Sequence, residues 1–168
     1  MDKSSKWSVW LFLLTFCFIF YGMGASFVES FINYPTWKLI GPNEFLAFHH
    51  AASPLIIGYL VAPLVFGTLL TALLIWVRPR PIPSWAIWLA LGLQVIVWIA
   101  TVTIQIPIQV ELSSTGLSIA AIDRLLVTNF WFRRIPYTIS AALFVWMMLR
   151  LLKVHNAEPG GTDGQPNA

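Results

Sequence analysis

Charge is what this sequence has least of. Asp, Glu, Lys and Arg make up 10% of its 168 residues, against about 25% in an ordinary soluble domain. A chain this poor in charge has little with which to build a water-facing surface. Cysteine is nearly absent as well. The single Cys17 excludes an internal disulfide, and inside an apolar run a lone thiol packs as a small hydrophobe. The motifs of nucleotide, haem and nucleophile chemistry are missing, with no P-loop, GxGxxG, GxSxG or CxxCH. His49 and His50 are adjacent but have no HxxxH or HExxH spacing around them. The sequence therefore specifies no metal site and no cofactor. The formal net charge of +3 comes from residues flanking apolar segments. That placement suits orientation at a membrane and does not form a nucleic-acid-binding patch.

What the sequence has instead is apolar length. It is 58% hydrophobic, with a mean hydropathy of +0.75. Long apolar runs cover 7–28, 54–77, 85–106 and 135–152. Each comes close to the ~20 residues that cross a ~30 Å hydrocarbon layer as helix. None alternates like a barrel strand, and helices satisfy every backbone group internally. The expected fold is all-α, an integral membrane four-helix bundle over residues 1–155. The stretch 156–168, rich in Gly, Pro and polar residues, reads as a disordered tail. Lys3 and Lys6 before the first run, with Gly22-Met23-Gly24-Ala25 near its end, also have the form of a signal peptide. The run is long for that role, which favours a retained helix.

Four spans put Lys3, Lys6, Arg78, Arg80, Arg150 and Lys153 on one side and Lys38, Arg124, Arg133 and Arg134 on the other. The bias, and the short Arg78-Pro79-Arg80-Pro81 turn, place both termini in the cytoplasm of a multi-pass cell-membrane protein. The opposite side collects most of the polar residues. Gly41-Pro42-Asn43-Glu44 looks like a helix start, with Asn43 able to cap. That helix would carry His49 and His50, one facing the bundle and one the interface, and Pro54 would kink it before the main span. Gln94, Thr101 and Gln105 recur at helical spacing, and Gln109 would extend the stripe past Pro107. Such a stripe serves either as interhelical glue or as ligand contact. Asn129, Arg133 and Tyr137 are spaced by four. One of Arg133 and Arg134 suits headgroups, and the other could pair with Glu29, Glu111 or Asp123. Gly22 and Ser26 precede Glu29 on a small-residue face that could bring Glu29 into the bundle, or leave it in interfacial water.

Ile104-Gln105-Ile106-Pro107-Ile108-Gln109, with Leu112 after it, closes the third run, and Asn129 to Arg133 opens the fourth. Together with Tyr34-Pro35 and the Glu44–His50 segment, this resembles the anthrone-oxygenase-like family of small four-helix membrane proteins. Gln stands at 105 and 109 where that family commonly has Asn. The resemblance implies a polar pocket at the extracytoplasmic end and oxidation of a lipophilic aromatic or polyketide-like molecule. In that reading Glu29, His49 or His50 acts as base and Arg133 stabilises negative charge, while Gln105, Gln109 and Asn129 hold substrate oxygens. The alternative is a non-enzymatic accessory subunit with a membrane-protein partner, or a binder of membrane lipid or quinone.

Overall fold

The computed structural model describes the backbone of residues 3–157 and the side chains of residues 6–154. The last eleven residues of the expected tail, 158–168, lie outside the described residues. Among the described residues there is no strand. Four helices are long and apolar enough to cross a membrane: α1 (Lys6–Trp37), α2 (Pro42–Val77), α3 (Ser84–Thr115) and α4 (Ile119–Val154). They run up and down, and each packs on its neighbours in the cyclic order α1, α2, α3, α4. Loops 38–41 and 116–118 share one end, the hairpin end. Loop 78–83 lies at the other, terminal end, with the first and last described residues.

At 32 to 36 residues, the helices are ~48–54 Å long at 1.5 Å per residue, well beyond a ~30 Å hydrocarbon layer. The apolar runs therefore mark only part of each helix. At the hairpin end α1, α2 and α3 run on through segments that composition alone assigns to loops, and α4 begins well before its apolar run. Gly41 is the N-cap of α2, with Pro42 behind it. Asn43 makes no capping bond, contrary to the expectation above, because the extended Gly41 is the N-cap two residues earlier.

Every one of the four helices contains a π-turn, and each π-turn stands immediately before a residue–proline pair. The turns are Glu29–Asn33, Ile57–Val61, Thr101–Gln105 and Phe130–Arg134. The prolines are Pro35, Pro63, Pro107 and Pro136. Proline has no N–H, and its ring collides with the carbonyl four residues back. The helix meets this by opening one turn. The N–H groups of Tyr34, Ala62, Ile106 and Ile135 reach back five residues to the carbonyls of Glu29, Ile57, Thr101 and Phe130. Pro54 is the exception, lying within regular α-helix. The irregularity expected there falls instead at Ile57–Val61, ahead of Pro63.

The interior is stratified. Phe12, Leu74, Ile87, Phe144 and Met147 anchor an apolar core in the terminal half. Leu60, Leu64, Val97 and Tyr137 form a smaller cluster at mid-height. Tyr34, Trp37, Phe45, Leu112, Ile122 and Leu125 build a cap at the hairpin end. Outward faces remain apolar, as at Leu69, Leu73, Ile96, Ile99 and Val102. Between mid-height cluster and cap lies a layer of another character.

Candidate functional site: a buried polar layer

The layer is built by three of the four π-turns and the residues beside them. From α1 come Glu29 and Ser30, from α3 Thr101 and Gln105, and from α4 Asn129 and Arg133, all buried. On each of these helices the polar residues sit between apolar residues of the neighbouring clusters. The π-turn of α2 adds the buried Leu60 and no polar side chain, so the fourth wall is apolar.

Some of these groups bind one another. Asn33 donates to Glu29 Oε1 at 2.8 Å. Asn129 Nδ2 donates to the Ser30 hydroxyl, which donates to the Ser26 carbonyl at 2.7 Å. Arg133 Nη2 donates to Thr101 Oγ1 at 3.2 Å, and Thr101 passes its hydrogen to the Val97 carbonyl at 2.7 Å. Arg133 lies within electrostatic reach of Glu29, Tyr34 and Tyr137. It forms no ion pair with Glu29: the ion pairs among the described residues are Lys38–Asp123 and Arg124–Glu111, both at the hairpin end. The pairing expected between an arginine and Glu111 or Asp123 is thus made by Arg124 and Lys38, with Arg124 and not Arg133 or Arg134 on Glu111.

Other groups in the layer find nothing. Glu29 Oε2, both Gln105 amide atoms, Asn129 Oδ1 and Arg133 Nε are buried without a hydrogen-bond partner. Each such atom costs about 1–3 kcal/mol relative to a satisfied one. Four further atoms share this state, one to a residue: those on Ser26 and Arg134 sit beside the layer, and those on Gln94 and Ser140 lie toward the terminal end. Five on four residues at one level is a concentration that interhelical packing does not require.

A second network lies one step toward the hairpin end. The Tyr34 hydroxyl interacts with Arg133 and Gln109. Gln109 Oε1 is 2.8 Å from His49 Nε2, and Ser113 Oγ is 3.1 Å from His49 Nδ1. His49 is buried, stacked on Phe45 and edge-on to Trp37. The chain His49–Gln109–Tyr34–Arg133 therefore ties the cap to the polar layer.

The residues singled out from sequence are placed as follows. Glu29, Gln105, Asn129 and Arg133 share the layer, and Gln109 and His49 join it through Tyr34. His50 is exposed and is not brought to the cluster, because adjacent helical residues point apart. Arg134 turns outward, its guanidinium 4.0 Å from the Phe31 ring centre and 4.9 Å from that of Phe130. Tyr34, Ser30, Asn33 and Ser113 were not anticipated. Tyr34 directly before Pro35, and Ser30 and Asn33 one and four residues after Glu29, were the available signals.

Among the described residues no three His, Cys, Asp or Glu side chains gather as metal ligands. A surface groove of about 560 Å³ lies between the hairpin-end halves of α3 and α4. A second of about 210 Å³ lies beside Arg134. No protein-family model, curated protein or solved structure matches the chain.

Proposed function

We propose that this is a multi-pass membrane protein whose polar layer receives the oxygen-bearing end of a lipophilic aromatic molecule. The observation that carries the reading is the set of five unpartnered buried atoms on Glu29, Gln105, Asn129 and Arg133. They include a carboxylate oxygen able to take a proton, and N–H donors on Gln105 and Arg133 able to hold an oxygen that gains negative charge. An aromatic alcohol or enol presents this combination. The resemblance to anthrone oxygenases extends the reading to an oxidoreductase, with Glu29 as base and His49 tied through Gln109 and Tyr34 to Arg133, the group that would stabilise negative charge. The orientation that agrees with the loop charges has both termini in the cytoplasm. Lys38 and Arg124 at the hairpin end already have acidic partners, which favours the same sense.

A second reading, an accessory subunit without activity, is favoured by the bonds Asn129–Ser30 and Arg133–Thr101, which join different helices as glue does. Binding of 4-hexyl-1-naphthol, a fluorescent aromatic alcohol with an apolar chain, to protein in lipid nanodiscs separates the two. A site predicts saturable binding that weakens tenfold or more, about 1.4 kcal/mol, in both Glu29→Gln and Gln105→Leu. Binding indifferent to both substitutions favours the accessory role.

A further inference from the structure

The groove between α3 and α4 has a shape and position that the polar layer alone does not explain. It is lined by Thr103, Ile104, Pro107 and Ile108 of α3 and by Val127 and Thr128 of α4, with Glu111, Asp123 and Arg124 at its charged end. Ile104 and Thr128 directly precede Gln105 and Asn129 in the chain, and the π-turn carrying Gln105 packs against the α4 segment that ends at Asn129. Groove-lining residues and residues with unpartnered atoms are thus neighbours along the same two helix segments.

Its surroundings are asymmetric. Around the groove, Val102, Ile106, Val110 and Val127 are all about half exposed or more, an outward face suited to lipid. Toward the hairpin end the Arg124–Glu111 ion pair spans the two walls, and Asp123 beside it holds Lys38. The open side is apolar and the charged end is closed by ion pairs.

The π-turns supply a further clue. Pro63 has no N–H for the Tyr59 carbonyl four residues back, and the Tyr21 hydroxyl donates to that carbonyl instead. The equivalent position before Pro107 is Thr103, in the groove wall. In α2 a hydroxyl from a neighbouring helix takes up the carbonyl that proline leaves. In α3 the corresponding residue, Thr103, lines the groove.

From these observations we infer that the groove is a lateral portal, through which an aromatic alcohol dissolved in the bilayer reaches the polar layer and in which its apolar body then rests. This rests on the reading of the polar layer as a ligand site. The aromatic body would lie along Ile104, Pro107, Ile108 and Val127. The oxygen would pass between Ile104 and Thr128 toward Gln105 and Asn129.

The test uses full-length protein in nanodiscs with Cys17→Ala, so that one introduced cysteine can be capped after folding. Thr128→Cys is capped with a bulky aromatic maleimide, and Thr138→Cys, in the groove beside Arg134, is the control. The probe is 4-hexyl-1-naphthol. The portal predicts that capping at 128 weakens or slows binding tenfold or more relative to the same Thr128→Cys protein before capping, and that capping at 138 changes little relative to the uncapped Thr138→Cys protein. If capping at 128 has no effect while Gln105→Leu still loses binding, the portal is wrong and the polar layer stands. If neither matters, or the parent binds no probe, both readings fall. Equal loss on capping at 128 and 138 also overturns the portal.

Discussion

In the terminal half of the bundle, Gln94 of α3 donates to Thr71 of α2 at 3.0 Å, and one turn on Trp98 donates to Thr68 at 2.9 Å. Both threonine hydroxyls pass their own hydrogens to carbonyls of α2. Donors there meet acceptors across one helix pair, with Gln94 Oε1 left over, and apolar side chains fill the rest. The polar layer draws on three helices, and its members outnumber the partners they offer one another. Gln94 and Gln105 are the same residue type on the same helix, both 2% exposed, yet one binds a neighbouring helix and the other binds nothing. Buried polarity as such therefore says little about function in an apolar bundle. What separates glue from a site is how many buried polar atoms at one level are left without partners: one on Gln94, five across Glu29, Gln105, Asn129 and Arg133.

The largest expected effect comes from the charge at the centre of the layer. Arg133→Met removes a buried guanidinium that donates to Thr101 and lies within electrostatic reach of Glu29, and should lower stability by about 1.5–3 kcal/mol, the range for a hydrogen bond to a charged group. Adding Glu29→Gln should restore much of the loss in thermal unfolding. A double variant as unstable as the single one would break the link between the two groups.

A smaller effect tests the apolar half on its own terms. A Cβ at Gly67 would sit 3.1 Å from Phe18 Cβ, where α1 and α2 press together. Gly67→Leu should therefore lower stability by about 1–3 kcal/mol through overpacking. Gly92→Leu, with nothing within 4 Å of its added Cβ, should not. Equal losses at both positions would mean the helix approach is not as tight as described.

The two glutamines should then move in opposite directions. Gln94→Leu breaks a made bond and should cost about 0.6–1.7 kcal/mol. Gln105→Leu removes two unpartnered atoms and should raise ligand-free stability by about 1 kcal/mol or more. Denaturation of both variants in the same nanodiscs checks this, and losses of the same sign and size would erase the contrast. The smallest effect is expected at the surface, where Tyr21→Phe leaves the Tyr59 carbonyl without its hydroxyl. That should cost ~0.5–1.5 kcal/mol, and a neutral result would show that lipid or water replaces the bond without loss.

Much of this arrangement is legible in the sequence. Helix number and order follow from the apolar runs, because a helix is the cheapest way to keep backbone groups paired in hydrocarbon. The stripe Gln94–Thr101–Gln105 and the spacing Asn129–Arg133 place these residues inside, and the adjacency of His49 and His50 sends one in and one out. Helix ends are harder to read. Hydropathy falls at Glu29, Pro54 and Pro107, while the helices continue because the polar side chains beyond are satisfied within the cap. The four π-turns have a visible cause in Pro35, Pro63, Pro107 and Pro136, but Pro54 is also a helix proline and produces none. Tertiary packing decides which prolines open a turn. The burial of Tyr34 and its contact with Arg133 and Gln109 depend on how α1 meets α3 and α4, and no local pattern encodes that.

The central claim is that the unpaired atoms of the polar layer are kept for a ligand. Thermal unfolding of the parent and of Gln105→Leu in nanodiscs, each without and with 4-hexyl-1-naphthol, measures it most directly. The account predicts that Gln105→Leu is the more stable protein without the probe. It also predicts that the probe stabilises the parent, by about 2.7 kcal/mol at ~100 times its Kd, and leaves the variant nearly unchanged. Equal stabilisation of both proteins, or a Gln105→Leu protein less stable than the parent in the absence of probe, would contradict it.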